Sequence, residues 1–147
     1  MSEEQAVSAK SVSILLVEDD DVDVETVKRS FSKLKIANPI CVSSDGIEAL
    51  ETLRGQGGRQ QLWRPFVVLL DLNMPRMNGI EFLQELRRDP RLRNAIVFVL
   101  STSNNDGDRA AAYDLNVAGY ILKPSVWEEF IDMIKMLDHY WRVIEFP

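Results

Sequence analysis

Short apolar runs alternate with amphipathic segments along most of the chain. Apolar runs of about four to eight residues, bounded by turn signals, are typical of strands buried in a parallel sheet. The segments between them carry apolar residues at helical spacing. This alternation predicts five β-α units that form a compact three-layer α/β sandwich. The predicted strands are Val12 to Val17, residues 39–43, Phe66 to Leu70, Ala95 to Leu100 and Gly119 to Leu122.

The predicted helices begin at acidic or capping residues. The first follows the acidic stretch from Asp20 to Asp23, where negative charge suits a helix N-terminus. Asp45 and Glu48 form a capping pair for the second helix. The last helix is predicted from about Val126 to Ile144.

Composition narrows the class of protein further. A length of 147 residues suits one domain, and a hydrophobic content of 46% argues against disorder. The net charge of −6 argues against a broad nucleic-acid surface. A single cysteine and the lack of a membrane-spanning apolar stretch or signal peptide fit a cytoplasmic protein. We therefore expect a flexible leader over residues 1–10 and a single domain with an extended C-terminal helix and tail over residues 11–147.

Polar side chains that could bind a ligand or react with it stand at the ends of four predicted strands. In open α/β sheets, ligands bind just beyond the C-terminal ends of the strands. Three carboxylates, a hydroxyl and an ammonium at that edge suggest a divalent cation and a phosphoryl group. The set comprises Glu18, Asp19, Asp71, Ser101 and Lys123.

The three carboxylates would repel one another unless a cation relieved them. Magnesium takes such hard oxygen ligands, so Glu18, Asp19 and Asp71 form a candidate metal site. The alternative is that the acidic run only starts a solvated helix. We prefer that alternative for the acids that follow, Asp20, Asp21 and Asp23.

The other members of the set suggest phosphoryl chemistry. Asp71 ends the most apolar strand and could act as a nucleophile, although it could also cap the next helix. Lys123 could pair with Asp71 at rest and with a phosphoryl oxygen afterwards, or be a surface lysine. Ser101 could bind the phosphoryl group or simply end its strand. The bond from Lys123 to Pro124 is predicted to be cis.

Four blocks, in this order and spacing, resemble the receiver domain of two-component response regulators. They are LLVEDD, LLDLNMPRMNG, VLSTS and GYILKP, and the resemblance covers roughly residues 12–140. It implies a CheY-like, flavodoxin-like (βα)5 sandwich with the strand order 2-1-3-4-5. The implied reaction is phosphoryl transfer from a sensor histidine kinase, with the chain as a phospho-acceptor rather than an enzyme.

The resemblance also implies a role for each residue of the site. Asp71 matches the phospho-acceptor, Asp19 the acid that binds Mg²⁺ directly, and Glu18 its neighbour, which often acts through water. Asn73 matches the position whose backbone carbonyl binds the metal. Lys123 matches the lysine that binds the phosphoryl group.

Two further matches imply a switch. Ser101 matches the hydroxyl residue that moves toward the phosphoryl group, and Tyr120 matches the aromatic residue that fills the vacated space. The expected output is a changed interaction surface. Finer resemblance points to regulators of phytochrome-type kinases, on the sequence LSTSN, the glycine loop before Trp63 and the tail YWRVIEFP.

The last helix carries more apolar residues than one face of a sheet requires. Its first stripe suits the core. The second predicts a homodimer, with Phe146 and Pro147 reaching across, unless a wide core or a loop covers it. The stripes are Trp127, Phe130, Ile134, Leu137 and Trp141, and Met133, Met136, Tyr140 and Val143.

Two rival functions stay open. An aspartyl-nucleophile phosphatase or phosphotransferase would want a second acid two residues after Asp71, where Asn73 stands. A non-switching receiver-like scaffold would not need the complete acidic set with Lys123. Smaller predictions place Cys41 in the core, Trp63 over the sheet edge and His139 on the surface. Arg76 and Met77 could touch the kinase, or simply be exposed in their loop.

Overall fold

The computed structural model describes residues 11–147, so the predicted leader over residues 1–10 lies outside the described residues. Five parallel strands form one sheet in the order β2-β1-β3-β4-β5. The predicted α/β fold and the strand order implied by the resemblance are therefore confirmed. The strands are β1 (Ser13–Val17), β2 (Ile40–Ser43), β3 (Phe66–Leu70), β4 (Ile96–Ser101) and β5 (Gly119–Leu122).

Helices cover both faces of this sheet, which is why β3 reads as a continuous apolar run and is buried along its whole length. Val67 and Leu69 point into one core cluster, and Val68 and Leu70 into the other. The helices α1 (Asp21–Lys33) and α5 (Trp127–Val143) cover the first face. The opposite face carries α2 (Gly46–Arg54), α3 (Gly79–Arg88) and α4 (Asp106–Asp114).

Side-chain caps mark the start of α1, α2, α3 and α4. Asp45 accepts a hydrogen bond from the backbone N–H of Glu48 at 2.9 Å, which confirms half of the predicted capping pair of α2. The Glu48 carboxylate accepts from the N–H and the hydroxyl of Ser44, and not from the N–H of Asp45. Asn78 and Glu81 form a reciprocal capping box at the start of α3. These caps end the loops that follow β2 and β3, so they also hold the C-terminal edge of the sheet.

The predicted stripe assignment of α5 is partly wrong. Trp127 is 36% exposed and lies under the Arg29 guanidinium, with 5.5 Å between the charge and the ring centre. Met133 is buried in its place, because it shares the core face with Phe130 and Leu137. Trp127 is the first residue of α5, so helical spacing alone does not place that residue in the core.

The second stripe of α5 is only partly exposed to solvent. Tyr140 packs edge-on against Phe98, with 4.9 Å between ring centres. Phe146, predicted to reach across to a partner, packs instead against the core cluster of its own chain. Met136 and Val143 are the residues of this stripe that remain exposed.

The smaller predictions have mixed outcomes. His139 is exposed and Cys41 packs against the core, as predicted. Trp63 is 70% exposed, so the prediction that it covers the sheet edge is wrong. Its neighbour Leu62, rather than Trp63, contacts the core cluster. Within residues 11–147, no helix is both long and apolar enough to span a bilayer.

Candidate functional site

Carboxylates from two neighbouring strands converge at the C-terminal edge of the sheet. Val17 pairs with Leu70 in the register of β1 and β3, so the residues that follow these two lie side by side. One carboxylate oxygen from each of Glu18, Asp19 and Asp71 lies within 4.8 Å of the other two. The structure therefore brings together the three acids predicted to form the metal site.

Burial makes this carboxylate cluster electrostatically costly. Burial away from water raises the pKa of Glu18 to about 7. The hydrogen bond from Lys123 acts in the opposite direction, and the negative charge of Asp71 raises the pKa further. Burial also raises the pKa of Asp71, against the Lys123 charge and the N–H of Asn73. Both carboxyl groups would hold their charge more easily beside an added cation.

The donor set fits a small, hard divalent cation. Three carboxylates can supply oxygen ligands at one point, and Lys123 supplies a single positive charge against them. Glu18 and Asp71 are buried, whereas Asp19 is exposed and keeps the cluster open to solvent. An ion that retains some of its water molecules would suit such a half-open site.

Lys123 lies beside the cluster but forms no ion pair or hydrogen bond with Asp71. Its ammonium nitrogen is 2.6 Å from Glu18 Oε1 and 2.7 Å from Asp23 Oδ2. Burial alone would lower the pKa of Lys123, but these two ion pairs outweigh burial and raise it. The predicted resting pair with Asp71 is wrong, because the ammonium instead satisfies the carboxylate of buried Glu18.

The acids after Asp19 differ from one another in role. Asp20 caps α1 by accepting the N–H of Val22 at 2.8 Å, as expected of a helix start. Asp21 is exposed, which also agrees with the prediction. Asp23 departs from it, because its carboxylate pairs with Lys123. Sequence reasoning missed this contact, which joins residues 100 positions apart.

The bond between Lys123 and Pro124 is not cis, contrary to the prediction. The cis X-Pro bond among the described residues is Arg64-Pro65. Lys123 N–H donates to Ser101 O at 2.8 Å and so continues the pairing of β4 with β5. Strand β5 ends at Leu122, one residue before Lys123, and an extended residue is ordinary before a trans proline.

Ser101 and Tyr120 meet through the loop that follows β4. Ser101 is buried at the end of that strand, and its hydroxyl oxygen accepts the N–H of Ser103 at 3.1 Å. The Tyr120 hydroxyl donates to the carbonyl of Ser103 at 2.8 Å. Ser103, which the sequence reasoning did not single out, therefore links the two residues predicted to form the switch.

The family model of the response regulator receiver domain matches residues 14–135. The chain belongs to this family. It is 34% identical over 128 residues to the response regulator Rcp1 of Synechocystis sp., a match that covers 87% of each chain.

Comparison with solved structures also supports membership of the receiver-domain family. The phosphorylated cyanobacterial phytochrome response regulator RcpA superposes with a TM-score of 0.84 at 34% identity, over 92% of this chain and 98% of RcpA. The Mn²⁺-bound form of Rcp1 gives 0.82 at 33% identity, over 92% of this chain and 99% of Rcp1.

In this receiver domain the loop that follows Asp71, residues 72–78, is held at three points. The N–H of Gly79 donates to Leu72 O at 3.0 Å, and the N–H of Gly46 donates to Met77 O at 3.0 Å. A Cβ atom at Gly79 would lie 2.6 Å from the carbonyl oxygen of Asp71, so a side chain there would displace the backbone of Asp71. Close backbone packing therefore requires glycine at this position.

The third of these contacts is an ion pair between the loop over residues 72–78 and the start of α2. Arg76 Nε donates to Asp45 Oδ2 at 2.7 Å. Burial alone would raise the pKa of Asp45, but hydrogen bonds from Arg76 and from the N–H of Glu48 lower it overall. The sequence left open whether Arg76 touches the kinase or is simply exposed in the loop; its guanidinium is exposed and pairs with Asp45.

Stability in acid is expected to depend on Asp45. A carboxyl group with a lowered folded-state pKa stabilises the fold above its unfolded pKa of about 3.9. This contribution is lost as the pH falls through the folded-state pKa. In Asp45→Asn, the free energy of unfolding measured in urea should therefore fall less steeply between about pH 5 and about pH 2.

The matched control is Asp114→Asn, because Asp114 is exposed at the end of α4. Its acid dependence should equal that of the parent protein. Equal slopes for the Asp45 variant and the parent would contradict the assigned contact.

Proposed function

We propose that the chain accepts a phosphoryl group on Asp71 from a sensor histidine kinase and signals through a changed surface. The main support is the convergence of three carboxylates, with Lys123 beside them, at the C-terminal edge of the sheet. Asp71 is the member that follows the central strand, and it keeps 8% of its surface exposed, so a donor can reach it. Family membership supports the same assignment.

The proposed transfer uses Asp71 as the nucleophile. A carboxylate oxygen of Asp71 bonds to phosphorus as the bond from phosphorus to the kinase histidine nitrogen breaks. The departing ring nitrogen keeps the electron pair. The product is an acyl phosphate, and Lys123, 10% exposed beside the cluster, would contribute the ammonium that faces its oxygens.

We propose Mg²⁺ as the cofactor of this transfer. Its ligands would be Asp19, Asp71 and the backbone carbonyl of Asn73, with Glu18 at or next to the metal. When bound, the ion supplies positive charge that offsets the charge of the phosphoryl oxygens. The Mn²⁺-bound form of the relative Rcp1 supports a divalent ion in this family.

The proposed switch begins with the Ser101 hydroxyl. Turning toward a phosphoryl oxygen would withdraw it from the N–H of Ser103. Ser103 would then shift, and the Tyr120 hydroxyl bonded to its carbonyl would lose that partner. The expected result is a population shift in the surface made by the loop after β4, α4 and β5.

The kinase proposed as donor is of the phytochrome type. The relative RcpA is named a phytochrome response regulator, and its similarity extends over almost all of both chains. We propose that this transfer takes place in the cytoplasm, the location that the sequence predicts. The chain would then be a phospho-acceptor that assists its own phosphorylation and dephosphorylation rather than an enzyme with turnover.

A phosphotransfer panel tests this function. Purified phytochrome-type and unrelated sensor kinases are autophosphorylated and mixed with the full chain in Mg²⁺, and the modified residue is mapped by mass spectrometry. We expect one phosphoryl group on Asp71, transferred fastest from a phytochrome-type kinase. If neither the kinases nor acetyl phosphate formed an adduct, the result would favour the rival function of a non-switching scaffold. Sustained release of phosphate from an ester would instead favour the phosphatase.

Metal binding should be measurable without phosphorylation. A ligand that binds only the folded state stabilises it by about 1.4 kcal/mol at ten times its Kd. We expect Mg²⁺ or Mn²⁺ to raise the melting temperature of the parent protein, and Asp19→Asn to lose most of this rise. Asp21→Asn, close by in the chain and exposed, should keep it. Equal stabilisation of both variants would place the ion elsewhere.

A homodimer through α5 and the tail stays a prediction. The exposed Met136 and Val143 are the second-stripe residues that would form its apolar centre. Phe146 would have to leave its own core cluster to reach across, so we propose α5 rather than the tail as the main contact.

A further inference from the structure

The Lys123 ammonium is shared between two carboxylates that differ in their surroundings. Glu18 is buried, with its side chain 3% exposed, whereas the Asp23 side chain is 38% exposed. Glu18 stands at the end of β1 within the proposed metal site, and Asp23 belongs to the first turn of α1. The second partner therefore lies outside the carboxylate cluster that surrounds Asp71.

We propose that Asp23 is a positioning residue that holds the Lys123 ammonium on the α1 side of the site, away from Asp71, before phosphorylation. This inference rests on the proposed function, because it concerns the same lysine and the same transfer. Asp23 touches neither the acceptor nor the donor. It acts by competing with the phosphoryl group for one ammonium.

The competition follows from the charges on the two sides of Lys123. With acetyl phosphate as donor, an Asp71 oxygen bonds to phosphorus while the bond from phosphorus to the acetate oxygen breaks. Acetate leaves with the electron pair, and the anionic phosphoryl oxygens remain at Asp71. Turning Lys123 toward them weakens its contacts of 2.6 Å to Glu18 and 2.7 Å to Asp23.

Of the two contacts, the one with Asp23 is the easier to give up. A half-exposed carboxylate regains water when its ion pair opens, whereas buried Glu18 would be left without that compensation. Opening the Asp23 contact is therefore the step that frees the ammonium. Removing Asp23 removes the competitor and leaves Lys123 with Glu18 alone, so the transfer should become faster.

Asp23→Asn tests this proposal against Asp21→Asn. Both variants remove one negative charge from the first turn of α1, but Asp21 is exposed and Asp23 holds Lys123. In Mg²⁺ and acetyl phosphate, we expect the Asp23 variant to gain its adduct roughly two- to fivefold faster than the parent protein. The Asp21 variant should match the parent, and Asp23→Glu, which keeps the charge, should fall near the parent rate.

A double-mutant cycle shows whether the effect passes through Lys123. In a Lys123→Gln background, replacing Asp23 by Asn should leave the slower remaining rate unchanged. Equal acceleration with and without the lysine would overturn the proposal, as would equal acceleration by the Asp21 and Asp23 variants. Circular dichroism confirms folding of each variant. If Lys123→Gln does not fold, the comparison of the Asp23 and Asp21 single variants decides.

The outcomes separate this inference from the function beneath it. A parent protein that forms no adduct on Asp71 fails the proposed function itself. A parent protein that forms the adduct, with an Asp23→Asn variant at the parent rate, keeps the function and rejects the positioning role.

Discussion

Asp71→Asn is expected to abolish the phosphoryl adduct. An amide has no anionic oxygen to attack phosphorus, so the initial rate should fall by roughly 10³-fold or more, as when an enzyme loses its nucleophile. The variant should still fold, because the substitution removes one of three clustered carboxylates that repel one another. The measurement is intact-protein mass spectrometry after incubation with Mg²⁺ and acetyl phosphate.

Two controls make this result specific to Asp71. Asp21→Asn changes the net charge equally at an exposed position and should accept the phosphoryl group at the parent rate. Melting curves of both variants show whether either has lost its fold. A normal yield of adduct on Asp71→Asn would assign the acceptor to another residue, and peptide mapping would identify it.

The site could be predicted from the sequence where it depends on strand ends. Glu18 and Asp71 each follow a short buried run, and parallel strands place such positions at one edge of the sheet. The positions of these carboxylates at the C-terminal ends of parallel strands were therefore enough to predict that they converge. The roles of Asn73 and Tyr120 came only from the resemblance to the receiver family, since neither residue type alone indicates that chemistry.

The direction in which a long side chain points was not predictable in the same way. Lys123 follows β5 as expected, but its ammonium can reach several carboxylates along the edge. The choice of Glu18 and Asp23 depends on the burial of one and on the placement of α1 against the sheet. Both depend on how helices and strands pack together, so the sequence around Lys123 could not predict them.

Helix faces show the same limit at their ends. Phe130, Ile134 and Leu137 are buried as their spacing predicts. Trp127 obeys that spacing and is nevertheless exposed at the first position of α5. Helical spacing gives the direction in which a side chain points, whereas burial also requires another part of the protein to pack against that side chain.

Arg87→Met is expected to cause a large loss of stability, although Arg87 lies outside the site. The half-buried guanidinium at the end of α3 donates four hydrogen bonds to backbone carbonyls, at 2.7 to 3.0 Å. The acceptors lie in the loop before β4 and in the connection from α4 to β5. They are the carbonyl oxygens of Arg93, Ala95, Leu115 and Asn116.

Methionine keeps much of the apolar stem of Arg87 but leaves these carbonyls without their donor. Hydrogen bonds from a charged group each contribute about 1.5 to 3 kcal/mol, and water can replace part of that loss at the exposed acceptors. The free energy of unfolding should therefore fall by about 2 to 4 kcal/mol in a urea titration.

The neighbouring Arg88 provides a matched control for this effect. It is exposed and contacts Glu85 one turn earlier, so Arg88→Met should change the free energy of unfolding by less than about 0.5 kcal/mol. Phosphorylation of Arg87→Met by acetyl phosphate should continue below its unfolding transition, because the carboxylate edge of the sheet is not altered. Equal stabilities of the two variants would show that solvent satisfies the four carbonyls as well as the guanidinium does.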